Sequence, residues 1–198
     1  MCKLFVLKDT TRHKILSVAR NVFARKGAIN TTMETVAKAA GLGRRTIYTY
    51  FKSREELLDE VVKWEKESII GQLNLVTTMD ISPEKKIIRF MTAHMKAIEN
   101  LIRENHLLRL EFLRGSERIE IYRKEVDAHE KECLASILME GAHGGVFLIE
   151  DFENTALLTI TTLKGLENQF ILDDFGEACQ ARLELWHKIL LRGIKASA

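Results

Sequence analysis

The chain has 198 residues, which is enough for one large domain or for a small module fused to a larger one. Hydrophobic residues make up 46% and proline occurs once, a composition typical of a globular, all-α chain and not of a strand-rich one. The net charge is only +2, but residues 1–54 carry twelve lysines and arginines against two acids, whereas residues 55–198 carry eighteen against twenty-six. This split favours a basic segment that binds a polyanion; two solvated surfaces of opposite sign are the alternative.

Several classes of protein are excluded by what the sequence lacks. No apolar run has the length that spans a bilayer, and the apolar core of the first nine residues is too short for a signal peptide, so we expect a cytosolic protein. The three cysteines (Cys2, Cys133 and Cys179) are odd in number and far apart, which predicts neither a disulfide framework nor a zinc module. We expect no cofactor.

Two helices are predicted in the first forty residues. The apolar residues of the first recur at helical spacing: Ile15, Ala19, Val22 and Phe23. Asp9 or Thr10 can cap the start of this helix, and Gly27 can end it. In the second helix, Thr31 and Glu34 have the spacing of a capping box.

A third helix is predicted after Gly41, with room for only a tight turn before it. With Gly43 as its amino-terminal cap, Leu42 and Ile47 take the positions of a hydrophobic staple. Ile47 and Phe51 then point inward, and the remaining surface carries basic and hydroxyl side chains: Arg44, Arg45, Thr46, Tyr48, Thr49 and Tyr50. Two helices joined by a short turn with glycine, the second with an exposed basic face, predict a helix-turn-helix.

Longer helices without repeats are predicted in the rest of the chain. Ser53 and Glu56 form a capping box for a fourth helix that carries a broad apolar stripe. Further helices are expected at about 83–103, 105–114, 117–140, 151–170 and 174–194, which brings the total to about nine. Asp151 and Asp174 are the predicted caps of the last two.

The stretches ILSVARNVFARKG and TTMETVAKAAGLGRRTIYTYFKSREELLDEVV resemble the DNA-binding segment of TetR-family transcriptional regulators. The resemblance covers about residues 11–62. It implies a helix-turn-helix DNA-binding domain over residues 1–53, a linking helix over 54–78, and an effector-binding and dimerisation domain over 79–198. The expected function is that of a ligand-responsive regulator, a repressor released from a palindromic operator by a small apolar or amphipathic effector.

The resemblance also implies residue roles. The positions that usually contact DNA, mostly its phosphates, correspond to Thr32, Thr46, Tyr48, Tyr50 and Lys52. Arg44 and Arg45 are at positions that can reach base edges, and an arginine can read guanine O6 and N7 there. Gly43 replaces the usual serine and Arg45 the usual small residue, so the operator cannot be borrowed from relatives. An ordinary solvated face is the alternative for Arg44 and Arg45.

The small footprint of one recognition helix predicts a homodimer, with half-sites about one helical turn (about 34 to 36 Å) apart. Apolar stripes on the last two predicted helices suggest its surface: Ala156, Ile160, Leu163, Leu183, Trp186 and Leu190. Two such helices from each subunit would form a four-helix interface. The alternative is that both stripes serve the core of the monomer.

Large apolar side chains are more frequent in the middle helices than in the basic segment. The residues predicted to line an effector site are Trp64, Met91, His94, Met95, Arg109 and Phe112. An ordinary core explains the same apolar residues, and both interpretations stay open. His129 and Cys133, four residues apart, share a helix face and are metal-ligand types, but no third ligand accompanies them, so no metal is predicted.

Two other classes of function are weaker matches to this sequence. G-x-S-x-G, P-loop and G-x-G-x-x-G motifs are all absent, so an enzyme is not expected. A helical interaction protein that binds an anionic membrane or protein would lack the steep salt dependence of a duplex-DNA binder. The expected partners are therefore an operator duplex, a small effector and a second copy of the chain, with no membrane.

Overall fold

The computed structural model describes residues 2–103, 109, 113 and 117–195, without the side chains of 2–9, 28–29, 117–119 and 122. These residues form eight α-helices and no β-strand, which confirms the all-α fold class. In chain order the helices are α1 (Cys2–Asn30), α2 (Met33–Ala40), α3 (Arg44–Tyr50), α4 (Arg54–Thr77), α5 (Pro83–Ile102), α6 (Glu117–His143), α7 (Phe152–Leu172) and α8 (Glu177–Ile194). The helix predicted at 105–114 lies outside the described residues.

The first helix is longer than predicted at its amino-terminal end. It begins at Cys2 instead of residue 9 or 10, because no proline or glycine interrupts this stretch and each residue added to an existing helix gains a backbone hydrogen bond. Gly27 leaves the helical region, with φ 75° and ψ 160°, so the predicted break lies at this residue although helical residues follow to Asn30. A positive φ of this kind favours glycine.

The amino-terminal cap of α2 is Thr32, so the capping box predicted at Thr31 is wrong by one residue. Thr32 Oγ1 accepts a hydrogen bond from the backbone N–H of Thr35 at 3.1 Å. Thr31 is buried, and its hydroxyl donates to the carbonyl of Gly27 at 2.8 Å, which keeps it from capping α2. Gly41 ends the helix in the left-handed conformation (φ 65°, ψ 34°), as predicted.

The predicted cap of α4 is confirmed. Ser53 Oγ accepts from the backbone N–H of Glu56 at 3.1 Å. The Glu56 carboxylate accepts in return from the backbone N–H of Lys52 at 2.6 Å, one residue before the position that a standard capping box uses. These bonds fix the direction in which the chain leaves α3 and starts α4.

Only one of the two predicted aspartate caps at the end of the chain is confirmed. Asp151 caps α7, and its carboxylate accepts from the N–H three residues further on at 2.9 Å. Asp174 does not cap α8, because that helix begins at Glu177 with Gly176 as its cap. Asp174 and Phe175 instead form the turn, with φ of 53° and 54°, a left-handed conformation that is costly for residues with a side chain.

The described residues form two compact units, which divide within α4 between Glu67 and Ser68. The core of the first unit contains Ile15, Leu16, Ala19, Phe23, Met33, Val36, Ala37, Ile47, Phe51, Leu57 and Val61. The core of the second unit is larger and is built from α5 to α8 with the carboxyl-terminal half of α4. The predicted domain boundaries at 53 and 78 stay predictions. Within the described part of the chain, no helix has the length and apolar character needed to cross a bilayer.

Candidate functional site

The position of α3 is set by the apolar residues it buries. Ile47 and Phe51 are 0% and 1% exposed in the core of the first unit, as predicted. Leu42 packs against the same cluster, so both residues of the hydrophobic staple are in place. The N–H of Leu42 donates to the carbonyl of Ala37 at 2.9 Å, which closes the turn between α2 and α3. A short helix is thereby held with its polar face outward.

The residues predicted to contact DNA lie on α3 and immediately beside it. Five of them are exposed: Thr32, Arg44, Arg45, Tyr48 and Lys52. Thr46 and Tyr50 are half-buried, and Tyr50 packs against the core of the first unit. The hydroxyl of Thr49, which has no predicted role, donates to the carbonyl of Arg45 at 3.1 Å. The surface of α3 thus combines guanidinium and hydroxyl groups on one small, supported helix.

Arg44 and Arg45 occupy an electrostatically unfavourable place on this helix. The first turn of α3 contains no acidic residue, and its cap, Gly43, makes no side-chain hydrogen bond. The amino-terminal end of a helix carries a positive partial charge, so two guanidinium groups there repel the helix dipole and each other. A bound anion removes this repulsion. The Arg44 guanidinium is 5.8 Å from the centroid of the Tyr48 ring, a cation–π distance that helps to orient it.

Other basic residues of the first unit are committed to its internal structure. Arg12 forms an ion pair with Glu60 of α4, and its guanidinium lies 5.4 Å from the Phe51 ring centroid. Arg20 forms an ion pair with Glu65. Burial raises the pKa of Glu65, and the positive charge of Arg20 opposes this effect. Not all of the positive charge counted in the sequence therefore faces a partner. Arg44 and Arg45 lie in a helical turn that contains no acidic residue.

The residues predicted at an effector site do not form a single group. Trp64 packs on the core of the first unit, with its ring 6.5 Å from that of His13. Met91 and Met95 are buried in the core of the second unit. An ordinary core was the alternative that the sequence left open for these apolar residues. Phe112 lies outside the described residues. These apolar side chains therefore serve first as core.

Arg109, another predicted effector residue, binds the turn between α7 and α8. Its guanidinium donates to the Asp174 carboxylate at 2.6 Å and to the carbonyl of Ile171. This turn contains the two left-handed residues, so Arg109 helps to hold a strained backbone. Arg109 was predicted to contact an effector. In the structure its guanidinium contacts Asp174 and the carbonyl of Ile171.

His94 lies at the centre of a buried charge network in the second unit. Its Nδ1 is 2.7 Å from Glu130 Oε1, and its Nε2 is 2.9 Å from Glu167 Oε1. Arg123 donates to both carboxylate oxygens of Glu167 at 2.5 Å. Burial by itself lowers the pKa of His94, but Glu130 and Glu167 outweigh it and raise the pKa to about 10. His94 is therefore an imidazolium at neutral pH that donates both ring N–H groups.

The partners of His94 are functional candidates that the sequence analysis missed. Glu130 and Glu167 are 36 and 73 residues away from His94 along the chain, so no local spacing connects them. Both carboxylates are almost completely buried, at 2% and 1% exposure. A buried ionic network is weak evidence for stability and is a common feature of functional sites.

In the second unit, residues of α5, α7, α8 and the turn between α7 and α8 line an open cleft of about 90 Å³. Its lining residues are Thr92, Met95, Lys96, Glu99, Phe170, Phe175, Cys179, Gln180 and Leu183. Met95 is the one predicted effector residue among them. Drug-sized ligands occupy pockets of about 300–1,000 Å³, so this cleft as it stands admits only a small group.

Comparison with known proteins assigns the first unit to a family. Residues 15–61 match the family model described as bacterial regulatory proteins of the tetR family. The HTH-type transcriptional repressor KstR2 of Mycolicibacterium smegmatis is 28% identical over 141 residues, which cover 69% of this chain and 67% of the relative. The HTH-type transcriptional regulator AcrR of Shigella flexneri is 44% identical over 66 residues, which cover 33% and 30%. Residues 15–61 therefore match the DNA-binding segment of the tetR family, and these relatives are named as HTH-type transcriptional regulators.

Solved structures of transcriptional regulators resemble the fold over most of this chain. The regulator FadR from Bacillus subtilis, in complex with stearoyl-CoA, has a TM-score of 0.67 at 20% identity and covers 92% of this chain and 98% of its own. A putative regulator from Saccharomonospora viridis, in complex with choline, has a TM-score of 0.71 at 18% identity and covers 96% and 100%. At these identities the likeness concerns the fold, which is all-α in this chain as well.

The apolar stripes predicted to form the dimer surface face the core of the second unit. Ala156, Ile160, Leu163 and Leu183 are between 0% and 4% exposed. Trp186 and Leu190 are partly buried and pack against the same core. A side chain that its own subunit encloses cannot contact another one, so the four buried positions are a correction to the predicted surface. Helical periodicity marks an apolar face without showing what covers it.

Proposed function

We propose that this protein is a TetR-family regulator that represses transcription by binding a palindromic operator as a homodimer, with α3 of each subunit in the major groove. The observation that carries the proposal is the Arg44–Arg45 pair in the first turn of α3, where no acidic side chain offsets it. A DNA duplex supplies the missing negative charge, and its major groove admits an α-helix. Such an operator would place the protein with the chromosome in the cytoplasm.

The residues on and around α3 have two different roles in this proposal. Thr32, Thr46, Tyr48, Tyr50 and Lys52 bind phosphate oxygens and position the helix without reading sequence. Arg44 and Arg45 reach base edges, where a guanidinium can donate to O6 and N7 of one guanine. Exposure of the two arginines and of Lys52 supports this division.

The homodimer is proposed to form through the outward faces of α7 and α8. The exposed apolar residues there are Leu157, Leu158, Leu172, Leu185 and Ile189, each at least 49% exposed. Leu185 and Ile189 are four residues apart and therefore lie on one face of α8. Exposed apolar residues on each of the last two helices fit the four-helix interface expected from the family resemblance.

The effector is proposed to be a small apolar or amphipathic molecule that binds in the second unit and releases the operator. Two regulators of the same fold support a small-molecule effector, because one is bound to stearoyl-CoA and the other to choline. Effector binding would move α4, which contributes residues to both units, and so change the spacing of the two α3 helices. A sharp switch needs an effector that prefers the released state by about 10⁴-fold.

Selection of DNA sequences followed by fluorescence anisotropy tests the operator proposal. We expect a palindromic sequence to be selected and log K to fall linearly with log salt, with a slope set by the number of phosphate contacts. Arg45→Ala should lower affinity for the selected duplex, whereas Arg89→Ala, at an exposed position of α5, is the matched control and should have no effect. Binding without any sequence preference or salt dependence would refute the operator and favour another anionic partner.

Light scattering and added ligands test the other two parts of the proposal. The purified protein should have the mass of a dimer. Stearoyl-CoA and choline, added separately to the protein–operator complex, compare an amphipathic probe with a small cation. Release by stearoyl-CoA supports the proposed effector class, and release by choline alone would contradict it.

A further inference from the structure

Three side chains that could bind a metal meet between α4 and α6 in the second unit. His129 and Cys133 lie one helical turn apart on α6, with Nε2 and Sγ separated by 3.4 Å. The structure adds Asn74, from the carboxyl-terminal half of α4, which the sequence analysis could not connect to them. Its Oδ1 is 2.9 Å from His129 Nε2 and 3.5 Å from Cys133 Sγ. A nitrogen, a sulfur and an oxygen atom are therefore mutual neighbours.

We propose that Cys133, His129 and Asn74 form a binding site for a borderline-soft divalent metal ion, Zn²⁺ in the first instance. Metal–sulfur and metal–nitrogen bonds of about 2.3 and 2.0 Å at tetrahedral angles place the ligand atoms about 3.4–3.6 Å from one another. The separations of Cys133 Sγ from His129 Nε2 and Asn74 Oδ1, 3.4 and 3.5 Å, match this. The distance from His129 Nε2 to Asn74 Oδ1 is 2.9 Å. It must increase by about half an ångström for both atoms to bind one metal ion, and rotation of the side chains provides this.

The chemistry of the donor set decides the class of metal. A thiolate and an imidazole select Zn²⁺ and similar ions over Mg²⁺ or Ca²⁺, which prefer oxygen ligands. Among the residues that the structure describes, no group of three or more His, Cys, Asp and Glu side chains is placed to hold a metal ion, so the third donor here is an amide oxygen. This weaker ligand predicts an affinity in the micromolar range, with a fourth position left for water or another ligand.

The charges around the thiol favour a cation. Glu132 and Glu130 add negative charge beside the Cys133 thiol. The same carboxylates attract a divalent ion. When the metal ion binds, the thiol proton is released to solvent.

Access to the site is consistent with reversible binding. Cys133 is 6% exposed, whereas His129 is half-buried and Asn74 is exposed, so an ion can enter from the Asn74 side. Without metal the same atoms can satisfy one another as hydrogen bonds, with the imidazole N–H donating to the amide oxygen. The protein is thus expected to fold with or without the ion. The inference does not depend on the operator or on the class of effector.

A Co²⁺ titration of the full-length protein tests the site. In a Cys2→Ser/Cys179→Ser background, Cys133 is the remaining thiol, and one equivalent of Co²⁺ should produce a thiolate-to-metal charge-transfer band that Zn²⁺ removes. Cys133→Ser should abolish the band. His129→Ala should weaken binding about 100-fold, and His143→Ala, on the exposed end of α6, is the matched control that should not change it.

Asn74 provides the decisive comparison. Asn74→Ala should weaken binding about tenfold, and Asn74→Asp should strengthen it because a carboxylate is the better ligand. Circular dichroism checks that each variant is folded; if Cys133→Ser is not, the exposed Asn74 variants and His129→Ala decide. Absence of a charge-transfer band would overturn the proposal. A band that His129→Ala and both Asn74 variants leave unchanged would also overturn it, because the thiol would then bind metal by itself.

Discussion

Replacement of His94 by leucine tests whether the buried charge network is structurally coupled. The substitution removes the imidazolium that neutralises Glu130, whose Oε1 it contacts at 2.7 Å and whose Oε2 has no hydrogen-bond partner among the residues that the structure describes. Glu167 keeps Arg123, so one buried carboxylate is left uncompensated and not two. Breaking a buried ion pair on one side costs about 3–5 kcal/mol. For a chain of this length, that lowers Tm by about 6–20 °C.

Urea and thermal denaturation of the wild type and of three variants measure this loss of stability. His94→Leu should be destabilised by the amount given above, and the exposed His143→Leu should change stability by only about 0.5 kcal/mol. The double variant His94→Leu/Glu130→Leu should recover most of the loss, because it removes both charges and leaves apolar side chains in an apolar core. A loss below about 1 kcal/mol for His94→Leu, or a double variant no more stable than the single one, would refute the coupling.

The pH dependence gives an independent measurement of the same network. The pKa of His94 is raised from 6.5 to about 10, so between these values the folded protein binds more protons than the unfolded chain. The stabilisation from His94 is then complete below about pH 6.5 and is lost as the pH rises through about 10. The difference in unfolding free energy between wild type and His94→Leu should therefore shrink from pH 7 to pH 10. A constant difference would mean that His94 is not charged in the folded protein.

Three further predictions concern other parts of the molecule. Arg45→Ala should cost about 1–3 kcal/mol of binding free energy on the preferred duplex and relax specificity at one base pair. Lys52→Ala should weaken binding to all duplexes alike and reduce the slope of log K against log salt by about one. Anisotropy that shows the same pattern of loss for both variants would contradict these roles. Gly141→Ala places a Cβ 2.1 Å from the Phe147 ring, so the free energy of unfolding should fall by about 1–3 kcal/mol in urea, and an unchanged midpoint would show that the ring can move aside. Leu158→Glu should convert the dimer to a monomer in light scattering, and an unchanged mass would exclude this face of α7 as the interface.

Short-range features of the fold were predictable from the sequence because they depend on neighbouring residues. The turn before α3 is one example: Leu42, Gly43 and Ile47 have the spacing of a staple and a cap, and the structure places all three accordingly. The cap at Ser53 is another. The prediction failed at Thr31, because two adjacent threonines satisfy the same pattern. Burial of Thr31 against the Gly27 carbonyl leaves Thr32 to cap the helix.

Long-range features were decided by the tertiary structure. Helical periodicity correctly marked Ile160 and Leu183 as apolar-face residues, but only packing shows that their own subunit covers them. The same limit applies to Asn74, which joins His129 across 55 residues of sequence. The amino-acid sequence by itself determined most of the helices, the caps at Ser53 and Asp151 and the basic surface of α3, since each depends on contacts within about one turn. The tertiary structure decided which helix faces place charged residues in the core and which pack against another helix. Both depend on residues that are distant in the chain and become neighbours only after folding.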